Sequence, residues 1–590
     1  MRRHPGVTMA LVIAALVALA HIPSVRTGLF LDDHAHYQQL RDGDWSYRSI
    51  VAAARLGIVG DVMDLWSKHE AGLRFYRPVA FALMRLEYTL VGWRPVGMHV
   101  FSVIWDWACA VLVGVLAWRF LGHWGWATVA AGLVAIHPGH VVTVYWIACQ
   151  TELMATAFVL LATLCYARYA GWWRCAGQRF GQLPGGGPVA TPDSAGETQP
   201  ARTWATAALA FYALAMGCRE HAIMWPAVIV VGDWSLRNGW RRRWKIYVLM
   251  AVTALAYLLA REEALGGFPL PGRPYLVRPG DAGFFAYVIN KFIYYIVGLF
   301  SFVPVVPVGG TEYFAQRPVP FYAMFAGAVA VIVLVAWATR PRRWLLIPLT
   351  WMTAFFLPLL PVFASSHHLY LPGVGMAIIL AAGLAAIAGN GRNPARRLIA
   401  GGVVAIHFVG LSALCGFTIG AYAGGTRVED LVVRDVLKTG GPIREGDHLF
   451  FVNVPMLAYY AVPAIENETG VRGLHGHVLT FSPWLLGMQS PGTLKRVGND
   501  TLLVTAPPDE AYFAGPDGRT LLTVMGFERP LKTGDTVDGP LFRAEVLEAD
   551  DRGVRRLRFT FHQPLDTPGY HFFFGSPVRW AYGLQHWKRD

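Results

Sequence analysis

Charge is scarce in this 590-residue chain: Asp, Glu, Lys and Arg together make up 15%, against about 25% in an ordinary soluble domain. With 54% hydrophobic residues, that balance excludes a soluble globular protein. Lysine is scarcer still, seven against 44 arginines, a bias that points to a GC-rich bacterial genome. Cysteine is limited to Cys109, Cys149, Cys165, Cys175, Cys218 and Cys415, all in or beside apolar runs and none in the polar C-terminal third. There is no Cys-x-x-Cys and no metal-type spacing, which argues against a disulfide framework and against zinc. No internal repeat is present, whereas transporters often carry one. The net charge of +13 does not indicate nucleic acid. The basic residues gather in short loops between apolar runs, as the positive-inside rule expects.

Apolar runs long enough to cross a hydrocarbon core of about 30 Å recur up to residue 422. Spans are expected at roughly 8–25, 97–120, 125–143, 147–169, 204–218, 221–236, 246–261, 320–339, 344–361, 370–389 and 398–421. The first is expected to remain uncleaved, because Leu19-Ala20-His21 is a poor cleavage context. Residues 284–303 are apolar but contain Asn290 and Lys291, and are expected to form a re-entrant or interfacial helix. Eleven spans then put Arg241-Arg242-Arg243, Arg340-Pro341-Arg342-Arg343 and the Arg392–Arg397 loop on the inner side. A first outer loop, about 26–96, falls on the outer side, with an interfacial helix expected around Asp61–Trp66. Residues 425–590 hold short strand-like runs, such as His448-Leu449-Phe450-Phe451-Val452-Asn453-Val454 and Arg555-Arg556-Leu557-Arg558-Phe559-Thr560-Phe561, between turn signals such as Gly515-Pro516-Asp517-Gly518, with a helix expected near 455–468. The expected fold is a polytopic α-helical membrane domain, 1–424, followed by a mainly β extracytoplasmic domain, 425–590. Its expected place is the bacterial cytoplasmic membrane.

The chemistry-bearing residues gather at the outer ends of spans. Asp32-Asp33-His34-Ala35-His36 follows the first span directly. A carboxylate there suits a general base that takes a proton from a hydroxyl. The same residues also suit a helix N-cap or, more weakly, a metal site. Arg74, Arg77, Arg219 and the His367-His368 pair suit an anionic phosphate, which an Arg fork binds with two parallel hydrogen bonds. Snorkelling towards headgroups is the competing reading for arginines, and an ion pair the competing reading for Arg219-Glu220. His137-Pro138-Gly139-His140, with Glu152 opening the next span, reads either as a cavity wall or as a wet Pro/Gly turn.

In order, these blocks resemble a known family. Asp32-Asp33 after the first span, Tyr76-Arg77-Pro78-Val79, His137-Pro138-Gly139-His140, Glu152-Leu153, Arg219-Glu220 with Asp233, and Leu369-Tyr370-Leu371-Pro372 cover about residues 25–375. The chain resembles the GT-C superfamily of membrane glycosyltransferases. Within it, the likeness is to the membrane part of the transmembrane and tetratricopeptide-repeat O-mannosyltransferases. The resemblance implies inverting transfer of a mannose-like or other hexose from a polyprenyl-phosphate donor to a hydroxyl acceptor outside the cell. Asp32 would be the base and Asp33 its orienting partner. Tyr76, Arg77, Arg219, His367, His368 and Tyr370 would face the donor phosphate or lipid, and His137, His140, Glu152 and Glu220 the acceptor or cavity. No cofactor or resident metal is expected. The acceptor would be a protein, lipid or glycan. Val142, Gln150 and Ser366-His367 stand where the family carries charged residues, Arg219 replaces a lysine, and the β domain stands where the family has repeats. A transporter or flippase of a lipid-linked solute, or an inactive envelope scaffold, are the alternative classes.

Overall fold

The computed structural model describes residues 4–57, 63–66, 72–172, 201–266, 276–301, 318–339, 342–389, 393–482, 490, 492–527, 529–578 and 581–586. The chain is a multi-pass integral membrane protein whose residues fall into two compact units. The first comprises 1–26, 76–268 and 278–420; the second comprises 27–75, 269–277 and 421–590.

In the first unit a helix occupies each expected span. Among the described residues, however, only six helices are long and apolar enough to cross a membrane, or seven if Trp124–Ala135 and Pro138–Tyr145 count as one span bent by 51°. The bend falls at His137-Pro138, where proline cannot donate to the helix ladder. Phe284–Phe300 is a shorter apolar helix of 17 residues. Local sequence marks many of the helix ends. Proline opens Pro5–His21, Pro78–Leu90 and Pro95–Leu121, where its missing N–H costs nothing. Left-handed glycines close others, Gly122 at φ 68° and Gly171 at φ 70°.

Packing between the helices is close. A Cβ on Gly375, in the helix Tyr370–Ala388, would lie 2.3 Å from the backbone oxygen of Pro348 in the helix Leu346–Phe356. The same two helices are tied by the Trp351 indole N–H, which donates to Leu371 O at 2.8 Å. Small residues at helix contacts let backbones approach where lipid offers no hydrophobic drive between helices.

The second unit carries two five-stranded sheets. One is antiparallel, in the order Thr493–Arg496, Thr501–Thr505, Val554–Phe561, Phe542–Ala549, Thr536–Asp538. The other is mixed. His448–Val454 runs parallel to both His475–Phe481 and Tyr570–Val578, and the helix Ala461–Thr469 makes the crossover between the first two, as parallel neighbours require. The expected helix near 455–468 is this one. Gly515-Pro516-Asp517-Gly518 is not a free-standing turn; it opens the helix Gly515–Val524, with proline at the position that tolerates it.

The first outer loop does not behave as one piece of the membrane domain. Residues 27–75 group with 421–590 instead. Asp64–Leu65 forms a short edge strand parallel to His475–Phe481, where an interfacial helix was expected; Asp61 and Val62 lie outside the described residues. The reason is burial. Met63, Leu65 and Trp66 enter the core of the second unit, and the Trp66 indole N–H donates to Leu479 O at 2.8 Å. In a run this short, apolar spacing does not separate strand from helix. The rest of the loop supplies the helix Pro78–Leu90 to the first unit. The last expected span also runs on: Pro394–Thr439 is one helix, and Val432, Val433 and Val436 near its end are buried in the second unit's core.

Candidate active site

In the first unit the sequence-selected ionisable residues form a paired network. Glu152 lies in the first turn of Gln150–Ala170 and is fully buried, at the helix end whose dipole favours an anion. The Arg219 Nε lies 3.0 Å from Glu152 Oε2, and His221 Nε2 lies 3.1 Å from Glu152 Oε1. Arg219 also donates to Thr151 Oγ1 at 2.8 Å. Next to it, Arg77 heads the helix Pro78–Leu90 and sets its guanidinium on Glu220, with contacts of 3.1, 3.2 and 3.3 Å. The pairing neutralises both arginines. The Arg219–Glu152 pair is dry, whereas Glu220 keeps 29% of its side chain exposed. His367 lies within electrostatic reach of Arg219 and Arg77, and its Nδ1 pairs with Ser365 Oγ at 2.7 Å. Tyr76 packs against Tyr257, ring centroids 5.6 Å apart and planes tilted by 44°, and its carbonyl accepts from the Tyr257 hydroxyl at 3.2 Å.

A second group forms around the bent span. His137 Nδ1 accepts from the Gly139 N–H at 3.1 Å, which leaves Nε2 to donate to Leu299 O at 3.1 Å. His140 donates through Nδ1 to Val134 O at 2.9 Å. These histidines hold the turn together. Tyr370 packs 4.7 Å from the His140 ring and donates to Asp106 Oδ1 at 2.5 Å. Asp106, fully buried within Pro95–Leu121, was missed at the sequence level, although a carboxylate in an apolar run was signal enough. Asp233 is likewise enclosed: Tyr166, Trp172, Tyr247 and Arg243 all donate to it.

The third group centres on Lys291, in Phe284–Phe300. Its side-chain nitrogen is fully buried and lies 5.4 Å from the Tyr287 ring centroid and 5.6 Å from that of Tyr295. Among the described residues it has no hydrogen-bond acceptor. The Tyr295 hydroxyl pairs with His368 Nδ1 at 2.8 Å, and His368 lies within electrostatic reach of Lys291. In sequence, Lys291 counts against a span; a lysine inside an apolar run, in a chain with only seven, is also the signal that marks it as a candidate.

Asp32 and Asp33 belong to the second unit. Asp32 is the N-cap residue of the helix Asp33–Asp42. It does not act as a side-chain cap there, and 18% of its side chain is exposed, with His36 Nε2 at 3.8 Å from Oδ2. Asp33 is buried, and its Oδ2 accepts the Phe30 N–H at 3.1 Å. The neighbouring histidines diverge: His36 Nδ1 pairs with Ala53 O at 2.8 Å, and His34 Nε2 faces Glu429 at 3.6 Å. The helix is fastened to the domain core. Gln38 donates to Pro463 O at 3.1 Å and to Glu466 at 2.9 Å, and Asn467 donates to His34 O at 3.3 Å.

No family model matches the chain. Among curated proteins it is similar to protein O-mannosyl-transferase TMTC2 of Homo sapiens, 27% identical over 127 residues, which cover 21% of this chain and 15% of that protein. It is also similar to protein O-mannosyl-transferase TMTC3 of Homo sapiens, 29% identical over 111 residues, 18% and 12% of the two chains. The chain thus matches only about one seventh of the length of these relatives. Among solved structures, the oligosaccharyltransferase of Archaeoglobus fulgidus tethered with an acceptor peptide aligns with a TM-score of 0.45 at 13% identity, covering 82% of this chain and 65% of that one. ArnT from Cupriavidus metallidurans bound to undecaprenyl phosphate aligns with a TM-score of 0.42 at 13% identity, covering 79% and 89%.

Proposed function

We propose that the chain is an inverting GT-C-type glycosyltransferase that moves a hexose, of the mannose kind, from a polyprenyl-phosphate donor to a hydroxyl acceptor on the extracytoplasmic side of a bacterial cytoplasmic membrane. The observation that carries this reading is the division of labour between the paired aspartates. Asp33 is buried and engaged with the backbone of its own turn, while Asp32 keeps a solvent-reachable carboxylate at the head of an anchored helix. That arrangement suits a base whose neighbour fixes its backbone. The local likeness to protein O-mannosyl-transferases supports the same reading.

In the proposed reaction Asp32 takes the proton of the acceptor hydroxyl. The oxygen attacks the anomeric carbon from the face opposite the phosphate, and the bond from that carbon to the phosphate oxygen breaks. The electron pair and the negative charge leave with the polyprenyl phosphate, and the anomeric configuration inverts. The phosphate needs positive charge. Arg77 and Arg219 are already matched by carboxylates, so they would share their charge. Lys291, with no acceptor among the described residues, is the better-suited phosphate partner, with His368 beside it. A preorganised cation aimed at developing charge favours the transition state. Tyr76, His367 and Tyr370 remain candidates for the donor lipid and phosphate, and His137, His140, Glu152 and Glu220 for the cavity wall.

The test uses the full chain in nanodiscs, undecaprenyl-phosphate mannose as donor and a pool of Ser/Thr peptides, polar lipids and glycans as acceptors. A β-donor should give α-linked product, and an α-donor β-linked product. Replacing a general base costs about 10²–10⁴ in rate, so Asp32→Asn should lose turnover by that factor. Unchanged turnover in Asp32→Asn removes it from the mechanism.

A further inference from the structure

The turn that carries Asp32 is strained, and what holds it comes from almost 400 residues away. Leu31, immediately before Asp32, sits at φ +50°, in the left-handed region that a branched, bulky side chain enters only when its surroundings compel it. Its N–H donates to Glu429 Oε2 at 3.2 Å. Glu429 lies on the helix Pro394–Thr439 and is 1% exposed. Its other oxygen, Oε1, is buried with no hydrogen-bond partner among the described residues, and His34 Nε2 faces Oε2 at 3.6 Å.

For stability alone this is a poor bargain. Burying a carboxylate with half its acceptor capacity unused costs free energy that one backbone hydrogen bond does not restore. A glutamate kept under those terms calls for an explanation beyond packing. The geometry supplies one. Three contacts fix the turn from three sides: Asp33 Oδ2 takes the Phe30 N–H, Glu429 Oε2 takes the Leu31 N–H, and the Phe30 ring packs edge-on to Tyr422 with centroids 5.9 Å apart. Asp32 is the next residue, and the φ of Leu31 sets the direction in which its Cα–Cβ bond leaves the backbone.

We infer that Glu429 is a positioning residue for Asp32: its carboxylate holds Leu31 in the left-handed conformation and thereby aims the Asp32 carboxylate. This rests on the reading of Asp32 as the base. It also gives the helix Pro394–Thr439 a role in the reaction without any contact of Glu429 to substrate. Glu429 moves no proton and touches no reacting atom; it acts through the Leu31 amide.

The test compares Glu429→Ala, Glu429→Gln and Asp32→Asn in the full chain in nanodiscs. Two readouts are taken: amide hydrogen exchange over residues 28–35, and kcat and KM with undecaprenyl-phosphate mannose. In Glu429→Ala the Leu31 amide should exchange at least about tenfold faster, a local opening. Its kcat should fall at least about tenfold, with the donor KM within about twofold of wild type, the pattern of lost transition-state alignment. Glu429→Gln keeps an amide oxygen for the Leu31 N–H and should recover most of both. A purely structural glutamate would lower the folded yield but leave the kcat of the folded fraction unchanged, and that result overturns the inference. So does unchanged exchange at Leu31 in Glu429→Ala. The two proposals fail separately. Full turnover by Asp32→Asn discards the base, whereas an inactive Asp32→Asn beside a fully active Glu429→Ala keeps the base and discards the positioning role.

Discussion

Trp66 offers a direct test of how the first loop is held. It is 5% exposed, and its ring sits edge-on among Phe513, Phe527 and Phe559 at centroid distances of 5.7, 6.4 and 5.9 Å. Its N–H satisfies Leu479 O. Truncating a buried tryptophan to alanine costs about 3–5 kcal/mol, and leaving the Leu479 carbonyl unpaired adds about 1–3 kcal/mol. The sum, about 4–8 kcal/mol, rivals the whole stability of an ordinary domain, about 5–15 kcal/mol. The observed loss should nevertheless be capped. Asp64–Leu65 is an edge strand, so the segment detaches locally before the sheets unfold, and the penalty cannot exceed the free energy of that detachment. Trp66→Ala should therefore leave the C-terminal sheets protected from exchange while residues 48–74 become rapidly cleaved by trypsin. Trp66→Phe keeps the ring packing and loses only the N–H, so its cleavage should fall between wild type and Trp66→Ala. Wild-type cleavage of this segment in Trp66→Ala would refute the assignment of Trp66 as its anchor.

Breaking the dry pair by Arg219→Ala leaves the buried Glu152 with His221 alone beside it and should cost up to about 3–5 kcal/mol, read as a lower Tm of the purified protein; Arg219→Ala with Glu152→Gln should recover part of that loss. Lys291→Gln should raise the donor KM about tenfold while leaving the Tm unchanged or higher, because it removes both a phosphate partner and a buried amine with no acceptor among the described residues. The second unit should be acid-sensitive through His477, whose pKa is pushed down to about 3 by burial, with His448 and His475 adding repulsion. Asp64, at 3.8 Å and 38% exposed, does not offset that burial. Since the folded pKa lies below the unfolded value of 6.5, this stabilisation is fully present above pH 6.5. It is lost as pH falls towards 3, at up to about 1.4 kcal/mol per pH unit. Denaturant melts of the full chain against pH should show that slope for the second unit, and His477→Asn should flatten it.

The helical positions were legible because spanning segments announce themselves by composition, and proline and glycine mark many of their ends. The number that satisfies the length and apolarity criteria was not, since Trp225–Ser235 and Leu346–Phe356 are shorter than a full crossing. In the site, the local signals were readable: Asp32-Asp33 at a helix start, Arg219-Glu220, the His-Pro turn. What the residues bind was not. Nothing near Arg77 in sequence says that Glu220 will occupy its guanidinium, and nothing near Leu31 announces Glu429. Partnerships of long sequence separation leave no periodic trace. The misreading at Asp64–Leu65 has the same cause: an edge strand of two residues is defined by its neighbour, His475–Phe481, and not by its own pattern.

That separation has a consequence for how the protein is made. Leu31 and Glu429 are 398 residues apart, and Trp66 and Leu479 are 413 apart. At ribosomal speeds of 5–20 residues per second, the first loop waits about 20–80 s for its partners to be synthesised. Through that interval the aspartate turn lacks its distant carboxylate and Trp66 lacks its core. The turn acquires its final form only after about seven-tenths of the chain has been made, so messages cut short before the codon for Glu429 should yield inserted helices whose Asp32 turn is never locked.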